Sequence, residues 1–266
     1  MDSRVLALLQ CCQAIAQCIC LLSELPNAWL LFTEAQVQRD TCFKIISPYI
    51  FFCCVQTCIM LLIVIDIYVI VYFPTLYRTM PNEKYLCFML TPPCIYGLII
   101  VILGFMEVDQ EVLDFCNPPI ALYPTVSEIF SNSIVFINTV TVVCFIILII
   151  VFSSEKQKRE SRKLMKRLKI SVVLFLLTWY MCFLGVDLIN AMDFNVETFE
   201  TLEANIVLFA LICYSQTFYV MLWKSSEYRD AFFELWSCVP AIRNYRESHK
   251  PTSTVQSVTP VKSFSS

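Results

Sequence analysis

Six apolar runs, each long enough to cross a lipid bilayer as a helix, occupy half of this 266-residue chain. About 20 apolar residues in a helix span the roughly 30 Å hydrocarbon core of a bilayer. The chain is 58% hydrophobic and 15% charged, whereas soluble domains average about 25% charged residues. We therefore predict an all-α polytopic membrane helix bundle with six transmembrane helices. The predicted spans are Val5–Leu22, Ile46–Phe73, Tyr85–Gly104, Phe130–Phe152, Lys169–Asn190 and Leu202–Trp223.

The basic residues are sorted to one side of these spans. Of the 19 Lys and Arg residues, all except Arg39 and Lys44 fall on the same side. Loops rich in Lys and Arg stay cytoplasmic because they resist translocation. We therefore expect a multi-pass plasma-membrane protein with both termini in the cytoplasm. The opposite side is acidic and carries Glu107, Asp109, Glu111, Asp114, Glu128, Asp193, Glu197, Glu200 and Glu203.

The sequence offers little for catalysis or metal binding. The one histidine, His249, lies in a polar tail, and no HExxH, P-loop or paired CxxC motif is present. Most of the 15 cysteines lie inside apolar runs, where a free thiol behaves as a small hydrophobe. An intramembrane enzyme would need ionisable groups at one depth, but Asp66 and Asp187 are predicted near opposite faces. We predict no enzyme, no cofactor, no metal site and no nucleic-acid partner.

Two features of the sequence bear on how the spans pack. Gln10, Gln13 and Gln17 in the first run share one helical face, and such a face should point into a bundle. A cleaved signal peptide is the alternative for this run, although Asp2 weakens the positive charge that a signal peptide needs. Because the chain has only three glycines, helix packing is expected to rely on Ala, Ser, Cys and larger residues.

Two segments follow the last span: the first completes the predicted receptor bundle of residues 1–240, and the second lies beyond it. Residues 225–238 alternate apolar and acidic positions at helical spacing, which predicts a short amphipathic helix in the membrane interface. Cys238 is a candidate for palmitoylation, and a free thiol is the alternative. Residues 241–266 are expected to form a disordered cytoplasmic tail. The apolar positions of the amphipathic segment are Tyr228, Phe232, Leu235 and Trp236.

Cys42 and Cys116 are the two cysteines placed in, or at the edge of, loops on the acidic side. The outside of a plasma membrane is oxidising, so a disulfide between them is chemically allowed. It would pin the long acidic loop over the mouth of the bundle. Two free thiols are the alternative, and we favour the disulfide.

A few polar and aromatic residues inside the spans are candidates for function. An acid at membrane depth is a functional candidate by default. Asp187 should lie near the acidic side, and Trp179 and Tyr180 about halfway through their span, so these three could line a ligand pocket. Core packing is the alternative for Trp179. Asp66 should lie near the basic side, and the alternative for it is a side chain that reaches the nearby interface.

The basic segment 155–169 carries more positive charge than topology requires. Lys163, Lys166 and Arg167 surround a small apolar face there. One interpretation is a docking helix for an acidic cytoplasmic partner or anionic lipid. An ordinary cytoplasmic anchor is the alternative.

Several of these residues together resemble a known receptor family. Asp66-Ile67-Tyr68 at the end of a long span, followed by Phe73-Pro74 and Tyr77-Arg78, resembles the end of the third helix of rhodopsin-like G-protein-coupled receptors. Cys42 and Cys116 match that family's outer disulfide pair, and Trp179 matches an aromatic residue of its sixth helix. The segment from Ser215 to Tyr219 aligns with its seventh-helix Asn-Pro-x-x-Tyr pattern. Over residues 1–240 the chain is most similar to the nematode serpentine chemoreceptors of class SX.

The resemblance implies a chemosensory receptor that binds a small-molecule or peptide ligand within a bilayer-embedded bundle and signals to a heterotrimeric G protein. Compared with the family, Val5–Leu22 aligns with the second of seven helices, so the first is absent. Ile67 replaces the expected Arg and Gln216 the expected Pro. The residues that would face the G protein or switch with it are Asp66, Tyr68, Tyr77, Arg78, Lys163, Lys166, Arg167, Ser215 and Tyr219.

Two other functions stay open at this point. One is a truncated, non-signalling member of the receptor family. The other is a six-helix channel or transporter, which would be expected to show a span with a basic residue at every third position, or paired Gly- and Pro-rich interruptions. The sequence has neither feature.

Overall fold

The computed structural model describes residues 4–33, 36–79, 81–113, 116–154 and 226–240, with 185, 211–212, 214–215, 218–220 and 222–223 between the last two ranges. The described residues are mostly helical. The elements are α1 (Arg4–Phe32), β1 (Val37–Gln38), α2 (Arg39–Tyr72), α3 (Pro74–Thr79), α4 (Asn82–Glu107), β2 (Val112–Leu113), α5 (Pro118–Ala121), α6 (Pro124–Ser154) and α7 (Ser226–Leu235).

Four of these helices are long and apolar enough to cross a membrane. The qualifying stretches are Val5–Leu30, Arg39–Ile70, Asn82–Glu107 and Pro124–Ile150. They contain most of the first four predicted spans, so the protein is a polytopic helical membrane protein. All of the fifth predicted span except residue 185, and much of the sixth, lie outside the described residues.

Two apolar clusters fill the bundle, one at each end. The disulfide-end cluster contains Cys20, Cys42, Ile100 and Phe130. The far-end cluster contains Val5, Ile67, Tyr85 and Phe145 among its members. Early residues of α1 and α4 therefore lie level with late residues of α2 and α6. The four helices accordingly alternate in direction through the bundle.

Helix α2 is the centre of this part of the chain. In the most apolar stretch of α2, 61% of the residues are buried. The corresponding shares are 39% in α1, 22% in α4 and 28% in α6. The outward faces of the other three helices carry large apolar side chains such as Trp29, Phe88 and Phe136, exposed by 69%, 75% and 69%. Continuous apolar surface of this kind is rare on soluble proteins, and it suits contact with lipid.

The helices extend beyond the predicted spans because hydropathy marks only the apolar part of a longer helix. Helix α1 continues ten residues past the predicted end at Leu22, through Pro26, to Phe32. Helix α2 begins seven residues before Ile46 and contains Pro48. Proline has no N–H and leaves the carbonyl four residues earlier without its helical partner. The Ser47 hydroxyl donates to that carbonyl, Lys44 O, at 3.2 Å.

The expectation that glycine contributes little to packing is wrong. A Cβ placed on Gly104 of α4 would lie 2.2 Å from Cζ of Phe43, and one on Gly97 would lie 3.0 Å from Cδ2 and O of Phe51. Both glycines are buried against α2. Two of the few glycines in the chain thus allow two phenylalanine rings of α2 to lie directly on the α4 backbone.

The chain divides into two compact units, Met1–Tyr219 and Val220–Ser266. In the second unit, α7 places Phe232 beside Phe233 and Trp236, with ring centroids 5.9 Å and 6.1 Å away. Trp236 is four positions after Phe232 and three after Phe233, so the three rings lie along one side of the helix.

Candidate functional site

The loop before α6 is fixed to the start of α2 by a disulfide. Cys42 and Cys116 are joined, with their Cα atoms 5.6 Å apart, and both residues are almost fully buried. Five and four residues before Cys42, Val37 and Gln38 pair with the same loop as an antiparallel ladder, with Val37 opposite Leu113. A covalent bond and a short sheet therefore hold this loop, which we call the cap (residues 108–123), against the disulfide end of the bundle.

A buried arginine provides a third attachment for the cap. Arg39 is only 6% exposed. Its guanidinium pairs with the carboxylates of Asp109 and Glu111, and its Nε donates to Ile120 O at 3.2 Å. The Arg39 N–H also donates to Glu111 O at 2.8 Å. Because all nitrogens of this guanidinium are engaged, it fixes the orientation of the cap relative to α2 as well as their distance.

Sequence reasoning noted Arg39 only as an exception to the charge pattern. A lone cation among many acids was the available signal, because a charge that opposes its surroundings is usually retained for a specific pairing.

Two tyrosine hydroxyls meet inside the bundle below the cap. Tyr49 Oη of α2 lies 2.5 Å from Tyr214 Oη, and both side chains are almost entirely buried. The Cys20 thiol of α1 donates to Tyr49 O at 3.9 Å. The contact brings Tyr214, which belongs to the last predicted span, onto α2. The sequence analysis singled out neither tyrosine.

A layer of polar side chains separates the two apolar clusters. Gln13 Oε1 of α1, Gln56 Oε1 of α2 and both amide atoms of Asn138 on α6 are buried and make no hydrogen bond within the described part of the chain. Each unsatisfied buried polar group costs about 1–3 kcal/mol. Gln17, Thr57 and Thr141 are also buried in this layer.

Asp66 lies at the far end and is completely buried, so it does not reach the interface as one interpretation suggested. Its partner among the described residues is the Tyr85 hydroxyl of α4, with which its carboxylate interacts. The pair falls outside the geometry of a regular hydrogen bond. The Tyr77 ring of α3 meets the Tyr85 ring edge-on at 5.7 Å. The Tyr68 hydroxyl donates to Cys144 O of α6 at 2.8 Å.

The other predicted residues are placed as follows. Arg78 belongs to α3. The Ser215 hydroxyl donates to Ile212 O at 3.1 Å within its own turn, and Tyr219 is 62% exposed. Cys238 is an exposed free thiol. The residues Asp187, Trp179, Tyr180, Lys163, Lys166 and Arg167 lie outside those that the structure describes.

The chain has a clear match among known families. The model of the family described as serpentine type 7TM GPCR chemoreceptor Srsx matches residues 3–236. The matched range includes every element from α1 to α7. No curated protein matches the chain.

Proposed function

Because the chain belongs to the Srsx family of serpentine chemoreceptors, we propose that it binds a ligand from the disulfide end of the bundle and signals to a heterotrimeric G protein at the far end. The family is one of receptors rather than enzymes. The proposal includes six membrane spans, both termini in the cytoplasm, and the plasma membrane as its location. The family match is the observation that carries it.

The arrangement of the described residues supports this direction of signalling. The cap is held by Cys42 and Arg39 at the end of the bundle that contains the Tyr49–Tyr214 pair. The acidic residues of the sequence collect on that side and the basic residues on the other. A ligand that favours one helix arrangement shifts the population of states, and the opposite face reports the shift.

A cell assay tests the proposal. The full chain is expressed with a promiscuous G-protein α subunit, and calcium responses to panels of odorants, amines and peptides are recorded. Replacing Lys163, Lys166 and Arg167 together by Gln should abolish the response but preserve ligand-induced thermal stabilisation of the purified protein. The matched control replaces Arg243, Arg246 and Lys250 by Gln and should respond normally. Equal responses from the two triple variants would contradict the assigned G-protein face.

The second candidate function is a non-signalling member of the family. Ile67 stands where the family has an Arg beside Asp66, and within the described residues the Asp66 carboxylate interacts with the Tyr85 hydroxyl rather than with a cation. A receptor without that cation lacks one contact expected to engage the G protein. Surface expression with ligand-induced stabilisation, but without any calcium or cyclic-nucleotide response, would favour this candidate.

A further inference from the structure

Glu24 of α1 lies at the same level as the Tyr49–Tyr214 pair. It follows Cys20, whose thiol contacts Tyr49 O, by four residues, which is one helical turn or about 6 Å toward the disulfide end. Side chains on a helix lean toward its N-terminus, and the N-terminus of α2 is at the disulfide end. The Tyr49 side chain therefore extends along α2 toward the level of Glu24.

The Glu24 carboxylate has no basic partner at this end of the described chain. Arg39 is engaged by Asp109 and Glu111, and Lys44 by Asp40 at 2.7 Å. The sequence from 170 to 223 contains no Lys or Arg, so the last two predicted spans cannot supply a cation from within.

Glu24 is also only partly satisfied by hydrogen bonds. It is half-buried, and Asn27 Nδ2 donates to its Oε2 at 3.0 Å. Its other oxygen, Oε1, has no hydrogen bond within the described residues. A carboxylate inside a membrane bundle is normally paired, and an unpaired one marks a place for a charged partner. The described residues contain no group of three or more potential metal ligands, so the missing partner is better matched by a single ammonium group than by a divalent metal ion.

We propose that Glu24, together with the Tyr49–Tyr214 hydroxyl pair, forms a binding site for a protonated amine. The carboxylate supplies the opposite charge, and its free oxygen accepts an ammonium N–H. Tyrosine rings also attract cations through their faces. The inference rests on the proposed function, because it names the ligand class of a receptor whose ligand enters at the disulfide end.

Matched probe pairs test this site on the purified full chain in lipid nanodiscs. The pairs are 2-phenylethylamine with 2-phenylethanol, and hexylamine with hexan-1-ol, which differ in charge but little in shape. The readout is the ligand-induced rise in unfolding temperature, titrated to a Kd. At least one amine should stabilise the wild type more than its alcohol does. Glu24→Gln should weaken amine binding by at least about tenfold, the equivalent of 1.4 kcal/mol, and leave alcohol binding unchanged.

The control variant is Glu128→Gln, which removes an exposed acid of α6 near the same end. It should bind the amines as the wild type does. If Glu24→Gln does not fold, Glu24→Asp retains the charge and should keep the preference for amines. Amines and alcohols that stabilise the wild type equally, four probes that all fail to bind, or an amine preference that survives in Glu24→Gln would each overturn the proposal.

The calcium assay separates this inference from the proposed function. Amine binding without a G-protein response would leave the Glu24 site standing and reject signalling. A response to neutral ligands, with no binding of amines, would leave signalling standing and reject the site.

Discussion

Substituting Gly104 by Ala should loosen the contact between α2 and α4. The new Cβ would lie 2.2 Å from Cζ of Phe43 and 2.6 Å from its Cε2, whereas carbon atoms pack best about 3.5–4.0 Å apart. The ring must therefore retreat by more than about 1 Å. It has little room, because Phe43 is fully buried and its ring meets Phe105 edge-on at 4.8 Å. Leu122 closes the same space.

Overpacking of this kind typically costs about 1–3 kcal/mol. For a chain of this size, each kcal/mol of lost stability lowers the unfolding temperature by roughly 2–4 °C. The unfolding temperature of Gly104→Ala should therefore be about 2–12 °C lower than that of the wild type. The assay is thermal unfolding of purified protein with a thiol-reactive fluorophore. The fluorophore reports unfolding because Cys53 and Cys54 are buried and belong to no disulfide.

Two control variants make the outcome specific to the ring contact. Ile102→Ala changes an exposed position on the same helix and should leave the unfolding temperature nearly unchanged. Gly97→Ala should have a smaller effect than Gly104→Ala, since its Cβ would be 3.0 Å from the nearest atoms. Adding Phe43→Leu should recover part of the loss in Gly104→Ala, because contacting residues are not additive. An unchanged unfolding temperature in Gly104→Ala, or no recovery by Phe43→Leu, would refute the reasoning.

Three further predictions use the same unfolding assay. Arg39→Met should destabilise the protein by about 1–3 kcal/mol, since a buried cation and its hydrogen bonds are lost. Lys44→Met removes a surface ion pair and should cost less than about 1 kcal/mol. Equal losses in the two variants would be evidence against the third cap attachment. Tyr49→Phe and Tyr214→Phe should each cost about 1–3 kcal/mol because each removes the buried hydrogen bond between the two hydroxyls. The double variant should cost less than the sum of the two, and a strictly additive cycle would contradict the contact. Asp66→Asn should leave the unfolding temperature unchanged or raise it, because it removes a buried charge whose partner among the described residues is the neutral Tyr85 hydroxyl. A clear drop would mean that a cation holds the carboxylate.

Hydropathy and charge sorting were enough to predict the membrane class and most of four helices. They could not fix the helix ends, because α1 and α2 continue through Pro26 and Pro48 into more polar surroundings. Proline breaks isolated helices, but here the Ser47 hydroxyl satisfies the carbonyl that Pro48 leaves free. Whether a hydroxyl can take the place of the missing N–H depends on local geometry, which hydropathy does not describe.

The cap shows the same division between what a sequence can and cannot reveal. The Cys42–Cys116 pair could be predicted because few cysteines lie outside the apolar runs. The contacts of Arg39 could not, since they need the distance between two loops that are 70 residues apart. Glycine was misjudged for a related reason: a count of three says nothing of where they fall, and Gly97 and Gly104 both face the phenylalanines of α2.

All three attachments of the cap come from residues 37–42 at the start of α2. One residue inserted between Arg39 and Cys42 would turn the helix by about 100° and point the thiol and the guanidinium in incompatible directions. The stretch should therefore tolerate substitution far better than any change in its length. Relatives are expected to vary the cap by insertion after Leu113, and to leave the spacing from Val37 to Cys42 alone.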